Sequence, residues 1–475
     1  MTFMYGLASI IALGLAVASP VENTKPVFFG SLRVRSESWG WFNPVGGGYD
    51  ENYTFSHNLL RFGGKLPVAH RVSGLRPFET VVEGSAPLLL GLPHNASGPA
   101  PIGALGMGGT YRSINGSQQG SLFVKQAYVR MPQMGKSPEI MAGRIEMMDG
   151  NEAVPGDADL AYIQAQRIAQ RLFSPDAFTV VGRSMDGFKL SQTNGNHVLT
   201  LAGFYPTTAA FNLDGGDSIS KLRQMYFADS RSTKNTSNRF FIDSYVDARG
   251  IKAVDNTTTS TTDAIKLTTF GGHATTTSTQ GKLRTDALFW GGTQQGQWGL
   301  SRQDAYAAVV EAGIKHPAFA GWWLRAGAGH FSGDANPDDS KHQSWMPQIS
   351  PPRLLFRTPV VTMSNLNDLY AMAIKRNKKE TIRLEAHSYR LDKLADRWYT
   401  GGSAFQSTGS FALTGKPNGG SRNIGTAIDV SYDVTLNSRD TVGLYAGYVH
   451  GGDAVAATYA GRSAFLGFAQ ITRKF

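Results

Sequence analysis

The chain contains no cysteine. That excludes a disulfide framework, a cysteine nucleophile and any thiolate metal site. Charge is sparse as well, at 17% Asp, Glu, Lys and Arg over 475 residues, below what a helical protein of this size carries. Long apolar runs are missing after the first turn of sequence: only YGLASIIALGLAVA, Tyr5 to Ala18, stands out, and mean hydropathy is -0.22. That run is about 14 residues, short of the roughly 20 that a spanning helix needs. The chain is therefore not a helical membrane protein.

The same run, followed at once by SPVENTKP, has the length and the A-x-A ending at Ala16 and Ala18 of a cleavable export signal, although MTFM supplies no Lys or Arg before it. Residues 1–18 are accordingly expected to be a signal peptide and 19–475 the mature domain. Formal charge is +10 and none of it lies in the first 18 residues, so the mature chain is basic and suited to anionic contacts such as lipopolysaccharide or an acidic polymer. Nucleic acid does not fit an exported chain. The densest basic stretch, KRNKKE at Lys375–Glu380, reads as a solvated turn.

What the sequence has in abundance is glycine, 55 residues, with 11% aromatics, and an alternation of period two. AIDVSYDVTL sets Ile428, Val430, Tyr432, Val434 and Leu436 against Asp429, Ser431, Asp433 and Thr435; FFGSLRVRSE sets Phe28, Gly30, Leu32 and Val34 against Ser31, Arg33, Arg35 and Glu37. Such segments are strands with one apolar and one wet face, unlike the all-apolar strands of a doubly wound sheet. Strands are predicted near 27–39, 53–66, 76–86, 121–131, 139–147, 177–192, 197–204, 222–229, 239–249, 266–274, 284–292, 304–313, 321–331, 365–374, 380–390, 424–436, 441–450 and 465–475.

Connections alternate between short turns such as TNGN, RNKKE and NSRD and long segments at 87–120, 148–176, 332–364 and 391–423. An even number of antiparallel strands of about 10 residues joined in this way describes an outer-membrane β-barrel of about 18 strands. Closure is obligatory in hydrocarbon, because an open sheet edge would leave backbone groups unpaired. The apolar faces then meet lipid. A soluble β-sandwich or propeller would also alternate, but it does not require alternating loop lengths, and no blade-like repeat of 40 to 50 residues is present.

Motifs for catalysis are weak. GRSMDG, Gly182 to Gly187, has Asp186 where a nucleophile elbow needs its second Gly, and it sits in an extended pattern. GDANPDD offers Asp334, Asn336 and Asp338 at calcium-loop spacing, yet Asp339 replaces the required Gly and Trp345 the closing Glu, so it reads as a surface loop. The 10 His include no H-x-x-x-H pair. Neither enzyme activity, metal nor cofactor is expected. With the apolar parity facing lipid, Arg33, Arg35, Arg144, Arg183, Lys189, Arg325 and Arg383 are the candidate pore-lining cations, accompanied by Glu37, Glu146, Glu385, Asp429 and Asp433. They either brace the wall in ion pairs or leave a basic constriction that attracts anions.

The segments AGRIEMMDGN, GRSMDGFKLS, SGDANPDDSKH followed by MSNLNDLYA, IRLEAHSYRLDKLADRWYTGG and GTAIDVSYDVTLNSRDTVGLYAGYVHGGDA resemble the alginate-export family of bacterial outer-membrane proteins. The likeness lies in their order and spacing and covers most of 27–475. It implies an 18-stranded barrel with both termini in the periplasm, long loops outside, and a narrow electropositive pore for an acidic polysaccharide. Family pores are lined by arginines, and Arg144 and Arg183 stand in the matching motifs; Asp429 and Asp433 depart from that pattern by diluting the positive field. The expected function is passive diffusion of solutes through a porin with anion preference. The alternatives are dedicated export of an anionic exopolysaccharide and, in another class, a secreted carbohydrate-active enzyme. Expected partners are outer-membrane lipid and lipopolysaccharide, the anionic solute, and the outer-membrane assembly machinery, for which the terminal Phe475 of GFAQITRKF resembles the recognition signal.

Overall fold

A computed structural model describes residues 25–68, 76–251, 263–401 and 413–475. The export-signal segment lies outside the described residues. Eighteen long strands run in chain order: β1 Val27–Gly40, β2 Asn52–Val68, β3 Phe78–Leu90, β4 Phe123–Met131, β5 Glu139–Ile145, β6 Met185–Asn194, β7 His197–Pro206, β8 Leu222–Ser232, β9 Thr236–Asp247, β10 Ile265–Gln280, β11 Leu283–Trp298, β12 Ser301–Lys315, β13 Trp323–Phe331, β14 Leu366–Arg376, β15 Glu380–Arg390, β16 Asn423–Thr435, β17 Asp440–Gly451 and β18 Ser463–Lys474. Each pairs antiparallel with its sequence neighbours, and β1 pairs with β18 through Arg35↔Gln470 and Trp39↔Leu466, which closes the sheet. The barrel has no free edge, as hydrocarbon demands.

Burial follows the alternation. In β1, Arg35, Glu37 and Trp39 are buried while Leu32, Val34 and Val27 are exposed. Across the wall Leu60, Phe62, Phe240, Phe270, Phe289, Tyr306, Val310, Leu384, Ile428 and Ile471 lie exposed, whereas Glu83, Arg239, Asp243, Glu311, Arg325 and Glu385 are buried. A soluble protein does not display so much contiguous apolar surface. Of these residues the charged ones face inward and the apolar ones outward.

Two sequence expectations need correction. The strand foreseen at 177–192 begins only at Met185, because 177–184 folds into the barrel interior as part of a loop. The strands foreseen at 284–292 and 304–313 extend to Trp298 and back to Ser301, which leaves only a two-residue turn, 299–300, between them. The segment 365–374, ambiguous between helix and strand by pattern, is strand β14.

Candidate pore constriction

The lumen is filled by loops. Segment 146–184, between β5 and β6, descends through the barrel until Gly156 and Asp157 donate backbone N–H groups to Thr233 and Lys234 O of the short turn between β8 and β9, at the end opposite the long loops. There it makes the helix Ala158–Ile163, capped by the Asp157 carboxylate, which accepts from the N–H groups of Asp159 and Leu160. Three cations at the lower ends of β11, β12 and β14 grip this turn. Arg284 bonds to Asp157, Lys315 Nζ lies 2.5 Å from Asp159, and Arg376 reaches Asp159 at 2.9 Å. Burial opposes ionisation of Asp159, but Lys315, Arg376 and Arg284 together hold its carboxyl below the usual range.

The segment then climbs back. Phe173 packs edge-on to Phe204 and Tyr226, and it bridges in parallel to Ile349 of the second infolded segment, 332–365. Residues 177–179 meet β1, where Arg33 donates to the carbonyls of Ala177 and Thr179 at 2.5 and 2.6 Å. Arg35 donates to Phe178 O at 3.1 Å and stacks over the Phe178 ring at 3.8 Å. Arg353, from the second segment, covers the same ring at 3.5 Å and bonds to Asp176. Arg33 and Arg35 therefore anchor the loop to the wall.

Between the two segments and β15 lies a cavity of about 200 Å³, lined among others by Gln166, Arg167, Asp176, Arg353, Arg357, Arg383 and Glu385. Four guanidinium groups face two carboxylates there. Arg167 is fixed by Glu311 at 2.7 Å, Arg383 by Glu385 at 3.3 Å, and Arg357 reaches out to Asp433 at 3.4 Å. Nη2 of Arg167 and Nη1 of Arg353 are buried without a hydrogen-bond acceptor among the described residues. Burial pushes the Arg353 guanidinium down to about 10 against the upward pull of Asp176, so it stays charged at neutral pH. A buried guanidinium N–H without an acceptor is costly.

Of the cations singled out in the sequence, the structure brings only Arg383 to this cavity. Arg325 is buried in β13 between Asp286 and Glu311, 2.9 Å from the latter, and braces the wall. Lys189 shares the inward ladder face with Met141 and Ala202, and makes no ion pair among the described residues. Arg183 sits before β6 rather than on a strand; it is buried, with Nε donating to Thr207 O at 3.3 Å. Arg144 departs most. It pairs across the ladder with Ala127 and Asp186, on the face opposite Tyr128 and Lys189, and its two bonds to Asp186 are both 2.7 Å long. EIMAGRI is apolar on both faces, so its parity could not be read. Arg167, Arg353 and Arg357 escaped sequence reasoning because they stand in loops, where no alternation assigns a face; their only signal was basic residues within the long segments.

The weak motifs resolve plainly. Ser184 Oγ is spent on Lys125 O at 2.6 Å. Asp338 and Asp339 are exposed as a surface loop would have them, but Asp334 is buried, with its N–H on Asp396 at 3.0 Å, and Trp345 turns into the lumen against Trp290. No cluster of metal-ligating residues forms among the described residues.

An inside-out closed barrel with lumen-filling loops is the architecture of bacterial outer-membrane porins, and solved structures with the same fold span nearly the whole chain. OccAB4 of Acinetobacter baumannii matches with TM-score 0.60 at 9% identity, covering 96% of this chain and 100% of its own. OccK2 (OpdF) of Pseudomonas aeruginosa matches with 0.57 at 10%, covering 94% and 97%, and opdK of the same organism with 0.55 at 9%, covering 94% and 99%. The protein is an outer-membrane β-barrel of porin type. The signature of the family described as Alginate export matches residues 182–467, and the chain belongs to that family. No curated protein sequence matches it.

Proposed function

We propose that this protein is a diffusion channel preferring small anionic solutes, acidic saccharides among them, and that the arginine-lined cavity is its selective constriction. The observation that carries this reading is the convergence of four guanidinium groups, Arg167, Arg353, Arg357 and Arg383, on one cavity whose lining holds two of their carboxylate partners, Asp176 and Glu385, while the other two, Glu311 and Asp433, stand outside it. Fixed guanidinium groups in a narrow wet passage replace part of an anion's hydration and repel cations, while several partly neutralised sites let the ion leave. Fold and family are those of porin and export barrels rather than of an enzyme family. The test is a planar-bilayer reversal potential under a salt gradient: the expected sign is that of an anion channel, and a cation-selective potential refutes the reading.

Dedicated export of an anionic polymer such as alginate is a second reading, favoured by the family's description. It requires that segment 146–184 leave the lumen, since that loop reaches the turn between β8 and β9. Current block by alginate oligomers of increasing length separates the two. A sharp cutoff at short oligomers supports the small-solute channel.

A further inference from the structure

The outer wall carries a feature that the pore does not use. At the loop-bearing ends of β8 to β12 the backbone ladder aligns one row of outward-facing residues: Arg223 opposite Val246, Val246 opposite Lys266, Lys266 opposite Gln297, and Gln297 opposite Arg302. The two-residue strand Lys341–His342 pairs in parallel with β12 and continues the row, placing Lys341 beside Arg302. Arg223, Lys266, Arg302 and Lys341 are exposed, and no ion pair engages any of them among the described residues. Strand spacing sets the first three roughly 10 Å apart and Lys341 roughly 5 Å further on.

The parity is unambiguous, because the residues on either side of each strand cation, Leu222 and Gln224, Ile265 and Leu267, Ser301 and Gln303, are turned inward or half-buried. Two to four residues below, on the same outward face, lie exposed Met225, Phe270 and Tyr306. Two exposed carboxylates lie near the row, Asp304, two residues from Arg302, and Asp339, whose Oδ1 accepts from Lys341 N–H at 2.6 Å; neither forms an ion pair with the four cations. On β16 to β18 the uppermost outward row is Thr426, His450 and Ser463, with no Lys or Arg.

Four like charges in one row repel one another unless anions lie among them. At this height on a lipid-facing wall the anions within reach are headgroup phosphates of the outer leaflet, and the apolar surface below fits acyl chains. We infer that this row binds the phosphate groups of a phosphorylated glycolipid, with Met225, Phe270 and Tyr306 against its chains. A free phosphate would satisfy the cations but would have no use for the apolar surface beneath them.

The test uses the full mature chain in detergent, with divalent cations chelated. Binding of bis-phosphorylated lipid A and of its dephosphorylated form is followed by native mass spectrometry. The expected result is that the bis-phosphorylated form binds at least about tenfold more tightly, and that changing Arg223, Lys266, Arg302 and Lys341 together to Gln abolishes the difference, at about fivefold per cation. The single variant Lys266→Gln carries the test if the fourfold variant fails to show heat-modifiable mobility on a gel. Equal binding of the two lipid A forms overturns the inference, as does a preference that survives the fourfold substitution or is not lowered about fivefold by Lys266→Gln alone. Displacement of bound lipid A by millimolar inorganic phosphate would make it a free-phosphate site and also refute it.

Discussion

The ring of Phe475 lies directly over Gly30. A Cβ at position 30 would stand 2.3 Å from Phe475 Cε2, while the two residues exchange backbone hydrogen bonds of 2.9 and 3.0 Å. Gly30 is thus a site of close approach that lets the last residue of the chain seal the seam between β18 and β1. Arg473, which interrupts the apolar parity of that strand, is exposed near the same end and lies 3.9 Å from Asp440. An outward Arg near the interface costs only about 0 to 1 kcal/mol.

Gly30→Leu is expected to displace the Phe475 ring and lower the yield of folded barrel, as deletion of Phe475 would, while the channels that do fold conduct normally. Heat-modifiable gel mobility measures the yield and single-channel recording the conductance. Wild-type yield of the Gly30→Leu protein would refute the seam.

Substituting the cavity arginines should act on selectivity. A unit charge about 4 Å from an ion in water is worth about 1 kcal/mol, so Arg353→Gln is expected to lower the anion-to-cation permeability ratio roughly fivefold. Reversal potentials read this directly, and an unchanged ratio removes Arg353 from the constriction.

Arg325 should behave in the opposite way. It is buried between Asp286 and Glu311, and removing one partner of a buried ion pair costs about 3–5 kcal/mol. Arg325→Ala is expected to lower the urea midpoint in detergent with little change in reversal potential. Loss of selectivity at unchanged stability would return Arg325 to the pore lining.

The loop tip at Asp157 and Asp159 predicts a pH response. The Asp159 carboxyl is held below its ordinary range by Lys315, Arg376 and Arg284 against the effect of burial, so the latch contributes fully above the unfolded value of about 3.9 and is lost as pH falls through the lower folded value. Conductance should be flat from about pH 5 to 8 and rise only below about pH 4. Asp159→Asn is expected to bring the open level to neutral pH, and a titration centred near neutrality in the native channel would contradict the mechanism.

Sequence alone determined the barrel, because lipid on one side and water on the other impose an alternation that strands such as β1 and β16 show residue by residue, and because short turns mark one end. It also identified the closing strand, in which Phe465, Gly467, Ala469, Ile471 and Phe475 share one face. Only the tertiary structure decided which loops enter the lumen and what the charges do there. Arg33 and Arg35 point inward as their parity requires, yet their partners are carbonyls about 145 residues away in a loop. Arg144 lies on the other face, in a strand where alternation could not assign it, and Arg167 and Arg353 became cavity residues through contacts between two loops. Local periodicity reports which medium a strand side chain meets; ion pairing and loop placement depend on contacts between distant segments, which no local pattern encodes.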